Sequence, residues 1–135
     1  MDNIKERFRQ YQEAIEASNI VSKTDTNGTI TFVNDEFCKM SGFTREELIG
    51  ANHNIVRHPE VPKEVFARLW ETILAKKVHK GTIRNRTKDG RDVYLNTTII
   101  PILDLSGQIE EFLAIRYDVT DVINLNNELE KTKKE

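Results

Sequence analysis

The 135 residues predict an α+β fold: a five-stranded antiparallel sheet, short helices on one face, and a helix at each end. Three observations carry this. Alternating stretches are separated by the short turn signals Asp25-Thr26-Asn27-Gly28, Lys88-Asp89-Gly90 and Asp104-Leu105-Ser106-Gly107, and turns that short join antiparallel neighbours. The middle of the chain switches to helical signals, so the helices between the second and third strands must pack across one face of the sheet. Both ends place apolar residues at helical spacing. A sheet covered in this way can enclose a small cavity.

Each element follows in order. Asp2 to Ser18 reads as an amphipathic helix, with Ile4, Phe8, Tyr11 and Ile15 at helical spacing between charged and polar residues. Asn19 to Lys23 is a short strand. Asn27-Gly28 tolerates the positive φ angles of a tight hairpin, and Thr29 to Val33 alternates as a strand does. Asn34 or Asp35 caps a short helix bearing Phe37, Cys38 and Met40, which Ser41-Gly42-Phe43 stops. Thr44-Arg45-Glu46-Glu47 is a capping box, because the Thr44 hydroxyl and the Glu47 carboxylate can each accept from the other's backbone N–H. Leu48 and Ile49 are expected to face inward, with Gly50 ending the turn. Ala51 to Glu60 has no periodicity and reads as loop. Pro62 suits the first turn of a longer helix, on which Val65, Phe66, Leu69, Trp70, Ile73 and Leu74 form a broad apolar stripe. Gly81 to Thr87 alternates. Val93 to Leu103 is a long strand whose Pro101 marks an edge or a bulge. Gln108 to Tyr117 is the last strand. From Thr120 a polar helix carries Val122, Leu125 and Leu129 on one side.

Composition narrows the function. Twenty basic and 22 acidic residues give a net charge of -2, so no field of one sign draws the chain to nucleic acid or anionic lipid. The single cysteine, Cys38, excludes an intrachain disulfide or a cysteine zinc site and points to a reducing, cytoplasmic compartment. Beside Phe37 and Met40 it reads as packing. No apolar run approaches the roughly 20 residues that span a bilayer, and Met1 to Arg7 has no apolar signal core. Direct membrane contact is not expected. Glycine-rich phosphate loops and serine or cysteine nucleophile motifs are absent. The adjacent pairs Glu46-Glu47 and Glu110-Glu111 do not face each other. The chain therefore reads as a non-enzyme. His53, His58 and His79 lack the tight spacing of a zinc site.

Several segments together resemble the PAS family: Thr29 to Phe37, Ser41 to Gly50, Lys88-Asp89-Gly90 and Asp118-Val119-Thr120. The resemblance runs over roughly Ala17 to Val122 and implies a bacterial sensory domain upstream of an effector. It divides the chain into an N-terminal flanking helix (1–18), the sensor domain (19–119) and the start of a C-terminal signalling helix (120–135). A narrower resemblance, carried by Asn52 to Pro62 and by Phe66, Leu69, Trp70, Gly81, Asn85 and Arg86, is to the PAS domains of bacterial aerotaxis receptors. Those bind FAD and sense redox state, so the resemblance implies FAD. Haem, which needs a single axial histidine, is the lesser alternative. In that family an Arg-His-Pro-Asp segment helps hold the flavin. Here Arg57 and His58 match it and Glu60 replaces the aspartate. His79 and Tyr94 stand where the family has tryptophans.

The cofactor-binding candidates are thus Arg57, His58, Glu60, Trp70, His79 and Asn85. Arg57 and His58 suit a phosphate or carboxylate, or else backbone carbonyls that fix the loop. Trp70 is a core residue or a flavin contact. Period-two alternation puts Asn85 on the face of Ile83, toward a cavity if Ile83 points there, and turns Tyr94 away. Asn34 reads as a cap. Asp118 and Thr120 are the signal-relay candidates. The narrow stripe on the last helix resembles a coiled-coil seam, which predicts a parallel homodimer. Downstream, a histidine kinase, a diguanylate cyclase or a chemotaxis receptor would be the effector. The alternative is a cofactor-free PAS module for dimerisation and relay.

Overall fold

The hairpin turns set the sheet. The computed structural model describes residues 2–134; Met1 and Glu135, at the far ends of the two expected flanking helices, lie outside them. Strands β1 (Ile20–Thr24), β2 (Ile30–Val33), β3 (His79–Arg86), β4 (Asp92–Leu103) and β5 (Ile109–Asp118) form one antiparallel sheet in the order β2-β1-β5-β4-β3. Two of the turns use one device. The Asp25 carboxylate accepts from the N–H groups of Asn27 and Thr29, and Asp104 does the same for Ser106 and Gln108. Gly28 and Gly107 then take φ of 85° in both turns, a conformation glycine adopts without steric cost. Pro101 lies beyond the reach of β3, which pairs with β4 only as far as Ile99, and β4 shifts register against β5 between Ile102 and Leu103. Both the edge and the bulge expected of that proline are present.

The helices are α1 (Asp2–Ser18), α2 (Asp35–Ser41), α3 (Arg45–Leu48), α4 (Lys63–Leu74) and α5 (Thr120–Lys134). Asn34 caps α2 through the Phe37 N–H and also accepts from Val21, while its amide donates to the Glu16 and Asn19 carbonyls. One side chain thereby fastens α1 and α2 to β1. The Thr44–Glu47 capping box is formed, and Lys88 of the β3–β4 turn pairs with Glu47 at 2.8 Å.

Three expectations are corrected. Ile49 is 42% exposed, because it follows the last residue of α3 in extended backbone and the helical phase no longer applies to it. The supposed loop contains a 3₁₀ turn over His53–Val56, started by the Asn52 side chain accepting from the Asn54 N–H. Such a local cap leaves no apolar period to read. The α4 stripe is narrower than expected. Leu69 and Ile73 are buried, whereas Val65 and Leu74 flank the contact and are exposed.

Two apolar clusters make the core. One gathers Ile20, Ile30, Val33, Phe37, Leu48, Val56, Val93 and Leu95 beneath α2 and α3. The other is Leu69, Ile73 and Phe112 beneath α4, with Trp70, Ile83 and Ile99 against it. Among the described residues no helix is long and apolar enough to cross a membrane.

Candidate ligand-binding cavity

A cavity of about 90 Å³ lies between the inner face of the sheet, the 3₁₀ turn and α4, lined by members of both apolar clusters. Strand alternation decides its walls. Ile83 and Asn85 of β3, Thr97 and Ile99 of β4, and Phe112, Ala114 and Arg116 of β5 all line it. Ser22 and Thr24 come from β1. Phe66, Leu69, Trp70 and Ile73 of α4 close the opposite, apolar side, and His53 and Arg57 come from the 3₁₀ turn and its C-cap. No aspartate or glutamate is among the lining residues.

The buried cation is Arg116, 3% exposed. Its Nη2 donates to Ser22 Oγ at 3.0 Å and lies 2.9 Å from His53 Nε2. A guanidinium only donates, so His53 Nε2 must accept and the imidazole is neutral. The His53 ring packs edge-on to Phe37, with centroids 6.0 Å apart. Its pKa is pushed down to about 3, first by burial and then by the charges of Arg116 and Arg57. Burial lowers the Arg116 pKa to about 10, which leaves it charged at neutral pH. Its Nη1 is buried with no hydrogen-bond partner among the described residues.

Of the six binding candidates, the structure brings Arg57, Trp70 and Asn85 together on the cavity and places three elsewhere. Arg57 stacks on Phe66, its guanidinium carbon 3.7 Å from the ring centroid, and its Nε is buried without a partner. A backbone bridge ties Arg57 to Asn85. Asn85 is buried on the face of Ile83, as alternation predicted. Trp70 packs edge-on to Phe112 at 5.7 Å. It leaves so little room that a Cβ at Gly28 would sit 3.1 Å from the indole.

His58 is buried but does not line the cavity. Its Nδ1 accepts from the Glu60 N–H at 3.0 Å, so Nε2 carries the proton and donates to Asp92 Oδ1 at 2.9 Å. His58 is a latch between the loop and the start of β4. Glu60 is exposed and pairs with Arg84, which also binds Asp92. Hydrogen bonding to Arg84 holds the Asp92 carboxyl below its ordinary range. His79, its pKa lowered by burial, stands at the start of β3 away from the lining. At the exit, Thr120 Oγ1 accepts from the Tyr94 N–H at 2.9 Å and donates to Asp118 Oδ1, which also accepts from the Thr120 N–H. The Val119 N–H donates to the Tyr94 carbonyl at 2.8 Å. The first turn of α5 is thus bolted to β4.

Sequence reasoning missed Arg116 and the role of His53. Arg116 shares a face with Phe112 and Ala114, but Phe112-Leu113-Ala114-Ile115 is apolar on both faces and hides the phase.

The PAS fold family model matches residues 6–119. The chain belongs to the PAS family. This PAS domain is 37% identical over 102 residues to the aerotaxis receptor of Escherichia coli (strain K12), covering 76% of the chain and 20% of the receptor. It is 28% identical over 114 residues to the nitrogen fixation regulatory protein of Klebsiella pneumoniae, covering 84% of the chain and 23% of that protein. The chain thus spans about a fifth of the length of these curated relatives. A crystal structure of a PAS domain from Colwellia psychrerythraea superposes with a TM-score of 0.77 at 23% identity, over 84% of this chain and 98% of that one. That likeness shows the fold. With the homology to the aerotaxis receptor, the chain is a PAS sensory domain of the kind found in signal-transduction proteins.

The flavin implied by the family meets a divided site. The polar groups suit the carbonyl-rich edge of a flavin ring: Asn85 and the unpaired N–H groups of Arg57 and Arg116 face an apolar wall that includes Trp70 and Phe66. The volume is tighter. An engineered cavity of roughly 150 Å³ holds one benzene, so a three-ring system does not fit within the cavity of about 90 Å³ unless its walls part.

Proposed function

We propose that this PAS domain reads the occupancy or state of a small ligand in the cavity and passes it through α5 to an effector outside the chain. The observation that supports this most is the Arg116 guanidinium, buried on the cavity with one nitrogen unpaired. A cofactor-free module has no use for such a cost, because a buried unpaired charge is strongly destabilising. Flavin, carried by the likeness to the aerotaxis receptor, is the first ligand to test. Arg57, Asn85 and Trp70 would hold it, and when bound it would supply reversible redox chemistry. The chain's own residues orient and desolvate the ligand and perform no catalytic step.

The relay follows from the exit geometry. Asp118 and Thr120 fix the first turn of α5 to Tyr94 of β4, three residues from Thr97 on the cavity wall. A ligand that shifts β4 strains this junction, by no more free energy than its preference between the two states. The division into a flanking helix (1–18), a sensor domain (19–119) and a signalling helix (120–135) belongs to the same reading. Phe8 and Ile15 on α1, and Leu125 and Leu129 on α5, are exposed, which supports a homodimer through these helices. The same reading puts the domain in the cytoplasm within a longer bacterial signalling protein, which the likeness to part of the aerotaxis receptor supports.

Supplying riboflavin during expression and recording the visible spectrum of the purified protein tests the flavin reading. The two-banded absorption of oxidised flavin, lost in Asn85→Leu, is the supporting result. A featureless spectrum, with no change on adding FAD, overturns flavin as the ligand.

A further inference from the structure

A cavity that buries positive charge selects what enters it. Arg116 spends both Nη2 hydrogens on Ser22 and His53, and its Nη1 faces no acceptor. Arg57, on the same cavity, has a buried Nε that is also without a partner. Among the described residues no carboxylate lines the space to balance either cation. His53 cannot supply the balance, since it already accepts from Arg116 and carries no charge. Buried charges in folded proteins are paired, so the site is incomplete as protein alone.

The opposite wall sets the rest of the ligand. Phe66, Leu69 and Ile83 offer nothing polar to a fully hydrated inorganic ion. A cavity of about 90 Å³ is smaller than the roughly 150 Å³ that admits a single benzene ring. We infer that the cavity takes a short-chain monocarboxylate, its carboxylate on Arg116 Nη1 and Arg57 Nε and its short apolar tail against Phe66 and Trp70. Charge-assisted hydrogen bonds from a guanidinium are the strong ones for a carboxylate. An uncharged analogue of the same shape still accepts from the guanidinium but brings no negative charge to balance it. This rests on the proposal that the cavity is a ligand site, but it does not need the ligand to be flavin.

The test compares propionate with propionamide, near-isosteres that differ in charge. Thermal unfolding and calorimetry are run in a chloride-free zwitterionic buffer on wild-type protein and on Arg116→Gln and Arg116→Lys. The expected result is saturable binding of propionate, at least tenfold tighter than propionamide, with the preference lost in Arg116→Gln and partly kept in Arg116→Lys. The wild-type comparison stands even if a variant fails to fold. Equal binding of the two probes would show a ligand site that does not select charge, which overturns the inference and leaves the ligand-site reading intact. Failure of propionate to bind also overturns it. In that case the spectrum of the same sample decides the broader reading: bound flavin keeps it, and a colourless protein that binds neither probe removes both.

Discussion

At residue 116 a charged side chain occupies a strand position that faces the core, and the cavity is organised around it. Ser22 and His53 take up Nη2, and the ring of Phe37 lies 5.2 Å from the guanidinium carbon. The arrangement predicts a pH dependence. His53 is neutral in the fold with a pKa of about 3, against an ordinary 6.5. The unfolded chain therefore takes up a proton first, and stability is full above about pH 6.5 and falls as pH drops toward 3. Between pH 7 and 5, above the range where carboxylates titrate, the loss should be on the order of 1–2 kcal/mol. Urea unfolding at the two pH values measures it; His53→Gln should reduce the dependence to a smaller remainder from His79, whose pKa burial also lowers, and an equal slope in that variant would refute the assignment. His58 makes a second prediction. His58→Ala removes both hydrogen bonds of the buried latch, to the Glu60 N–H and to Asp92, and should cost about 1–3 kcal/mol, while ligand affinity per folded molecule stays the same. A loss of affinity without a loss of stability would return His58 to the binding site. The sequence singled out Arg57, Trp70 and Asn85 through alternation and motif. It could not separate them from His58 and Glu60, since neighbours in a motif divide between cavity and latch only once the loop is folded.

At the scale of elements, the chain announces its own boundaries wherever the signal is local. The capping box at Thr44, the Asp-x-x-Gly turns and the Asn34 cap were legible because each is complete within a few residues. The 3₁₀ turn at His53–Val56 and the outward Ile49 were not, since a single Asn52 hydrogen bond and one extended residue decide them. The α5 junction is the element with consequences for signalling. Thr120→Val keeps the shape and removes the hydroxyl that links Tyr94 to Asp118. It should weaken the attachment of α5 by about 1 kcal/mol. Hydrogen exchange at the Tyr94 amide and in the first turn of α5 should then quicken by about fivefold. Unchanged exchange there would mean that the junction does not hold the helix.

For the molecule as a whole, the unpartnered faces lie on the two terminal helices. Ile4, Phe8 and Tyr11 are each more than 60% exposed on α1, and Val122, Leu125 and Leu129 are exposed on α5. The helical period was plain in the sequence, but which surface would cover it was not, because amphipathicity names a face and not its partner. These faces predict a dimer in analytical ultracentrifugation, reduced to a monomer by Phe8→Glu with Leu125→Glu. A wild-type monomer would reject it. The central claim is that the cavity holds a ligand. Native mass spectrometry of gently purified protein, beside Asn85→Leu, tests it most directly. The account predicts an additional small-molecule mass on the wild-type chain, released on denaturation and absent from the variant. A wild-type spectrum showing the bare polypeptide alone, unchanged by added FAD or propionate, would contradict it.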